Sequence, residues 1–363
     1  MPSASAPARP PAEARAVPLA AKLAVLGRPE TYPGRPATVE RRETHLSWVF
    51  LAGDEVYKMK KPVRAAGLDF RTLARRRRNC EAELRLNPRL APAVYRGMVA
   101  LTLERDGRLA LGGRGRPVEW LVRMRRLPAG RMLDQALAAG RATPAEIDAV
   151  ARLLAGFYRA APPVARSPAG YRRHLGAEIA ESRAALAGLP GRAAGRLERA
   201  AGRLEAWLGQ RPDPLAGRPL VEGHGDLRPE HVYLGPPPQA IDCLEFRRSL
   251  RLLDPADELA YLALECERLG APWVGPRLLA AYERATGDRP PPALLRFYQA
   301  LRALIRARLA ILHLADTPPA AHGKWRRQAA GYLAWADRLS AGLSAGLSAG
   351  PGADGLPSRR RAG

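Results

Sequence analysis

The period of the apolar residues changes once along this chain, and that change restricts the folds open to it. Up to about Arg126 the pattern is mostly that of strands. His45–Ala52 and Glu55–Lys61 flank Gly53-Asp54, which reads as a hairpin turn. Further strands are predicted at 97–103, 108–111 and 118–126, with turns at Asp106-Gly107 and Gly112-Gly113. Two helices interrupt them. One covers 17–26, with Pro18 tolerated in its first turn; the other covers 72–86, started by Thr72 and stopped by Asn87-Pro88. Beyond Pro128-Ala129-Gly130 apolar residues recur at helical spacing, over 144–160, 169–187, 193–209, 253–269, 275–286 and 292–314. One hairpin breaks this run, Val232-Tyr233-Leu234 and Ala240-Ile241-Asp242 around a Gly-Pro-Pro-Pro-Gln turn. The order predicts an α+β, two-lobe layout with a cleft at the junction. A small antiparallel sheet with one helix comes first, and a larger, mainly helical part carries the hairpin. The expected divisions are a disordered tail over 1–16, a first lobe over 17–126, a helical lobe over 127–338 and a low-complexity tail over 339–363. That last stretch repeats Leu-Ser-Ala-Gly.

Composition excludes several classes. No apolar run reaches membrane-spanning length, and the Ala-, Pro- and Arg-rich start lacks the apolar core of a secretory signal. Cys80, Cys243 and Cys266 are widely spaced and odd in number, so neither a disulfide framework nor a zinc site is expected. A reducing cytoplasm is the natural compartment. The net charge of +24 invites a nucleic-acid partner. The arginines are nevertheless spread from end to end rather than interleaved with aromatic residues, and abundant Ala, Pro and Gly accompany them, so compositional bias is the preferred explanation.

The segment richest in chemistry is His224-Gly225-Asp226-Leu227-Arg228-Pro229-Glu230-His231, leading into the hairpin that ends at Asp242. A tight hairpin brings its ends together, so Asp226, His231 and Asp242 should converge. Two nearby carboxylates call for a cation or a shared proton between them. The competing reading is a solvated hairpin whose aspartates only cap turns.

His224-Gly225-Asp226 resembles the catalytic loop of the aminoglycoside phosphotransferase family, of choline kinases and of related protein-kinase-like enzymes. Asp242, within Ile-Asp-Cys-Leu-Glu-Phe, resembles the metal-binding aspartate that follows it. Asp254-Pro-Ala-Asp257-Glu-Leu-Ala resembles the family's helix start, whose second aspartate buttresses the catalytic loop. The resemblance implies the protein-kinase-like fold and a phosphotransferase that moves the γ-phosphoryl group of ATP to a hydroxyl of a small molecule. It assigns Asp226 to orienting that hydroxyl and accepting its proton, Asp242 to a Mg²⁺ on the phosphates, and Arg228 to the charge of the transferred group. Val56-Tyr57-Lys58 is similar to the ATP-anchoring strand. Lys58 and Lys60 share a strand face, with Lys58 preferred, and Lys60-Lys61 is otherwise an exposed edge pair. Glu81 or Glu83 is the ion-pair partner, with Glu83 the better match. Met124–Leu127 falls where backbone groups would meet adenine. Thr44-His45-Leu46-Ser47-Trp48, Tyr57-Lys58-Met59-Lys60-Lys61-Pro62 and Leu68-Asp69-Phe70 resemble a bacterial subgroup often fused to a P-loop ATP-binding domain. No GxxxxGK[ST] occurs here, so that domain is expected to be absent.

Two departures from the family pattern stand out. His231 occupies the position of the usual asparagine, and imidazole is a poor donor to Mg²⁺. His231 is therefore either a ligand of a differently held metal (Mn²⁺ included, with Glu245 or water assisting), a hydrogen-bond partner of Asp226, or the sign of lost catalysis. Nor does a GxGxxG loop cover the phosphates. The alternatives to an enzyme are a nucleotide-binding pseudokinase with a regulatory role and a basic nucleic-acid-associated protein, for which the Arg75–Arg78 run is the place to look. An acidic patch for polycationic drugs would have to come from Glu258, Glu265 and Glu267, which read more simply as the polar side of a helix. The sequence assigns neither the acceptor nor an oligomeric state.

Overall fold

The computed structural model describes residues 17–65, 68–162, 164, 167–210 and 212–344. The tail expected over 1–16, and 345–363 of the tail expected over 339–363, lie outside them. The chain forms two compact units divided between Pro128 and Ala129.

The first unit is built on antiparallel strands β1 (Val39–Glu43), β2 (Ser47–Ala52), β3 (Glu55–Lys60), β6 (Tyr95–Leu103), β7 (Leu109–Leu111) and β8 (Arg116–Arg125). Their order in the sheet is β1-β2-β3-β8-β6-β7. A separate two-residue pair, β4 (Arg64–Ala65) and β5 (Leu68–Asp69), precedes helix α2 (Leu73–Leu86). The Gly53-Asp54 turn closes the β2–β3 hairpin, with Phe50 opposite Tyr57 and Trp48 opposite Met59. The pleat sends Tyr57 and Met59 to one face, where they pack with Phe50, Leu101 and Leu121, and with Leu26 of helix α1 (Leu19–Leu26). Lys58 and Lys60 consequently point the other way. Thr72 caps α2 by accepting from the Arg75 amide at 3.3 Å, as its position before the helix predicts. Strand β1 escapes sequence reading because four of its five residues, Glu40–Glu43, are exposed and charged, so it carries no apolar alternation. Such a charged edge is also how a sheet avoids pairing with another chain.

The second unit is helical: α3 (Leu133–Ala138), α4 (Pro144–Ala160), α5 (Pro168–Leu186), α6 (Arg192–Leu208), α7 (Pro255–Arg268), α8 (Val274–Thr286), α9 (Pro292–Leu312) and α10 (His322–Ser344). Its core joins Leu175 and Ile179 of α5, Leu204 and Trp207 of α6, Phe297, Tyr298 and Leu301 of α9, and Tyr332 and Leu333 of α10. Helix α10 runs through residues 339–344, so the stretch read as linker begins as packed helix. Its buried residues Ala329, Tyr332, Leu333, Ala336, Ser340 and Leu343 keep helical spacing. Glycines at 323, 331 and 342 mask that spacing in the sequence. Between α6 and α7 lie four two-residue strands. β9 (Val221–Glu222) pairs with β12 (Leu252–Leu253), and β10 (Val232–Tyr233) pairs with β11 (Gln239–Ala240), both antiparallel. Among the described residues, no helix is long and apolar enough to cross a membrane.

Candidate active site

The β9–β12 pair clamps the two ends of a segment that carries Asp226, Arg228, His231 and Asp242. Asp226 lies between β9 and β10, His231 just before β10, and Asp242 just after β11. The hairpin does bring them together. His231 Nδ1 lies 2.8 Å from the Asp226 carbonyl oxygen. A carbonyl only accepts, so Nδ1 carries a proton, and in the neutral imidazole the lone pair then falls on Nε2. Nε2 is 3.8 Å from Asp242 Oδ2 and 3.5 Å from Arg228 Nη2. His231 thus stands between the two aspartates. Asp242 adopts φ +62°, a left-handed conformation uncommon for a residue with a side chain. Its carboxylate is 43 % exposed, so the strain presents an acid to solvent rather than to the core.

Asp226 is more enclosed. Tyr261 of α7 donates to its Oδ1 at 3.3 Å, and Arg228 Nε lies 3.2 Å from Oδ2. Burial alone would raise its pKa, but nearby positive charge, that of Arg228 foremost and of Arg306 among it, outweighs burial and holds it below the ordinary carboxylate value. The group is therefore an ionised hydrogen-bond acceptor at neutral pH. Arg228 is not a free cation waiting for phosphate. Its Nη1 also meets Glu230 Oε1 at 2.7 Å, so one guanidinium joins two carboxylates.

The loop is held from beneath by a residue that sequence reasoning missed. Glu258, buried on α7, accepts from the amides of His224 (3.1 Å) and Gly225 and from the Tyr158 hydroxyl of α4 (2.9 Å). Backbone and carboxylate approach so closely that a Cβ at Gly223 would sit 2.6 Å from Glu258 Oε2. Gly225 has φ +91°, and a Cβ there would lie 2.9 Å from Leu244 Cβ. The buttress expected at Asp257 is thus one residue further on. Asp257 instead takes a two-pronged ion pair from Arg302 of α9, at 2.7 and 2.8 Å. Asp254 caps α7 through the Ala256 amide and binds Arg218. Nor do Glu258, Glu265 and Glu267 form a solvated acidic side. Glu265 accepts from Tyr332, and Glu267 pairs with Arg338. His224, fully buried, donates from Nε2 to the Ile241 carbonyl at 2.9 Å and accepts the Asp226 amide on Nδ1 at 3.3 Å. Burial lowers its pKa, so it is neutral.

In the first unit Lys58 Nζ lies 3.0 Å from Glu83 Oε1, and Lys60 Nζ lies 2.6 Å from Oε2. One buried carboxylate on α2 holds both lysines. Glu81 faces solvent and pairs with Arg77. Lys60 is 1 % exposed, which corrects its reading as an edge residue. The Lys58 side chain is 13 % exposed and is the one with access to a ligand. Met124 falls inside the strand expected over 118–126. It lies within β8, opposite Val56 on one side and Tyr95 on the other. Its backbone is engaged in the sheet, and the next two amides bond to Val94 and Asp54 carbonyls, so Met124 has no edge to offer a base.

Three of the four arginines in the 75–78 run are taken up by acids: Arg75 by Asp69, Arg76 by Glu119 and Arg77 by Glu81. Among the described residues, no three His, Cys, Asp or Glu side chains form a metal-holding group. A cation held at Asp242 and His231 would therefore draw its remaining ligands from phosphate oxygens and water.

The antiparallel sheet followed by a helical unit that carries a hairpin is the protein-kinase-like fold shared by aminoglycoside phosphotransferases and choline kinases. A choline/ethanolamine kinase family protein from Mesorhizobium loti superimposes with a TM-score of 0.53 at 18 % identity, covering 89 % of this chain and 99 % of that one. A glucosamine kinase in complex with glucosamine, ADP and inorganic phosphate gives 0.51 at 18 % identity, covering 86 % and 82 %. The GDP complex of aminoglycoside 2′-phosphotransferase-IIIa gives 0.51 at 16 %, covering 84 % and 93 %. At these identities the likeness defines the fold. No protein-family model matches the sequence. Uncharacterized proteins of Mycobacterium tuberculosis and Mycobacterium bovis are 34 % identical to it over 293 residues, which is 78 % of this chain and 57 % of theirs. The chain therefore spans little more than half the length of these curated relatives.

Proposed function

We propose that the protein is an ATP-dependent phosphotransferase acting on a hydroxyl of a small molecule. The observation that carries this reading is His231 seated between Asp226 and Asp242, with its Nε2 facing Asp242. Asp226, ionised and steadied by Tyr261, would orient the acceptor hydroxyl and take its proton as the oxygen attacks. Asp242 and His231 Nε2 would hold a divalent cation, which when bound supplies charge neutralisation on the phosphates. A mixed nitrogen and oxygen donor pair suits a first-row transition ion such as Mn²⁺ better than Mg²⁺. Lys58 is assigned to the phosphates and Glu83 to positioning it. Arg228, already shared by Asp226 and Glu230, is a positioning residue for Asp226 in this reading. The test is calorimetric titration of ATP with Mg²⁺ and then Mn²⁺ into wild type and Asp242→Ala. Metal-dependent binding that vanishes in the variant is expected, and absence of binding with either metal overturns the proposal.

A further inference from the structure

Helix α9 carries three arginines within two turns, and only two of them have acids. Arg302 is paired with Asp257, and Arg308 with Glu178 and Glu181. Arg306, half-buried, has no carboxylate partner among the described residues. Its contacts are with Tyr332, whose ring centroid lies 5.6 Å from its guanidinium and whose hydroxyl lies 3.4 Å from its Nε. That hydroxyl donates to Glu265 at 2.9 Å, which leaves its oxygen lone pairs for Nε. The stem and Nε are thus fixed while the Nη fork has no anionic partner. Arg302, one turn earlier on the same face, lies over the ring of Tyr261, the residue that donates to Asp226. The charge of Arg306 is itself among those that hold the Asp226 carboxyl ionised. A cation with no acid partner among the described residues is therefore anchored near the carboxylate assigned to the acceptor hydroxyl.

We infer that Arg306 recognises an anionic group, carboxylate or phosphate, on the alcohol that is phosphorylated. This inference rests on the phosphotransferase reading. A guanidinium fork matches either oxyanion with two hydrogen bonds, and it repels the ammonium group of an amino sugar of the kind found in the glucosamine kinase complex. The acceptor is then a small hydroxy acid or polyol phosphate, in keeping with a chain of net charge +24.

The test is ligand-observed NMR and calorimetry on the full chain loaded with ADP and Mn²⁺. The probes are a matched set of short polyols in neutral, amino, carboxylate and phosphate forms. Wild type should bind an anionic form about 10-fold or more tighter than its neutral counterpart, and which anion is preferred separates hydroxy acids from polyol phosphates. Arg306→Gln should erase the preference, and Arg306→Lys should keep part of it, with ADP affinity and unfolding midpoint unchanged in both. Equal binding of neutral or amino forms, no binding of any anionic form, or a preference that survives Arg306→Gln overturns the inference while nucleotide binding stands. Failure of wild type to bind nucleotide removes the phosphotransferase reading instead.

Discussion

Replacing Glu258 with alanine should loosen the loop that carries Asp226, and the size of the effect follows from what the carboxylate holds. It accepts from two buried backbone amides and one tyrosine hydroxyl. Hydrogen bonds to a charged group contribute about 1.5–3 kcal/mol each, so three amount to roughly 4–9 kcal/mol. Removing the carboxylate also relieves the several kcal/mol that burying a charge costs. The net destabilisation is about 2–5 kcal/mol. Tyr158→Phe removes one donor and leaves the two amides satisfied, so it should cost only about 1–2 kcal/mol. Urea unfolding followed by tryptophan fluorescence reads both as shifts in midpoint at unchanged slope. If Glu258→Ala lies within about 0.5 kcal/mol of wild type, or Tyr158→Phe costs as much, Glu258 is not the support of the loop.

The two lysines should separate by readout. Lys58→Ala is expected to weaken nucleotide binding about 10-fold with little change in unfolding midpoint, whereas Lys60→Ala should cost roughly 2–4 kcal/mol of stability by opening a cavity beside Glu83. Asp226→Ala should leave ATP affinity nearly unchanged in calorimetry and cut transfer by about 10²- to 10⁴-fold; a biological role indifferent to it would favour a pseudokinase. The pH dependence has a defined sign. The lowered pKa of His224 means the unfolded chain takes up a proton that the native protein refuses, so stability is full above pH 6.5 and falls below it. Unfolding midpoints from pH 8 to 5 test this, and His224→Gln should flatten the acid side. Gly225→Ala forces a Cβ against Leu244 at a positive φ, and should lower expression and stability together in a thermal melt.

The convergence of Asp226, His231 and Asp242 was legible because it depends on a local hairpin, whose pairing register follows from a short turn. The β2–β3 hairpin and the α2 cap were legible for the same reason. Glu258 was not, because its role arises where a distant helix meets the loop, and one-dimensional spacing favours its neighbour Asp257 equally well. Its only local sign is a carboxylate in the first turn of a helix buried on all sides from Pro255 to Cys266. Met124 was not legible as an engaged position, because its backbone is taken up by pairing with β3 and β6, which spacing along the chain does not show. Arg306 carries no signal in a chain with arginines throughout. What sets it apart is a tertiary fact, its position near Asp226 with no acid of its own among the described residues.

The double attachment at Glu83 bears on control. In protein kinases a single lysine–glutamate pair must be in place for activity, and the position of the helix bearing the glutamate is a point of regulation. Here swinging α2 away from β3 would strand a buried carboxylate and two cations at once. At a cost of roughly 4 kcal/mol or more, fewer than about one molecule in a thousand would occupy the swung-out state. The helix is latched when the sheet folds. Control by displacement of α2, as in protein kinases, would therefore be costly in this protein.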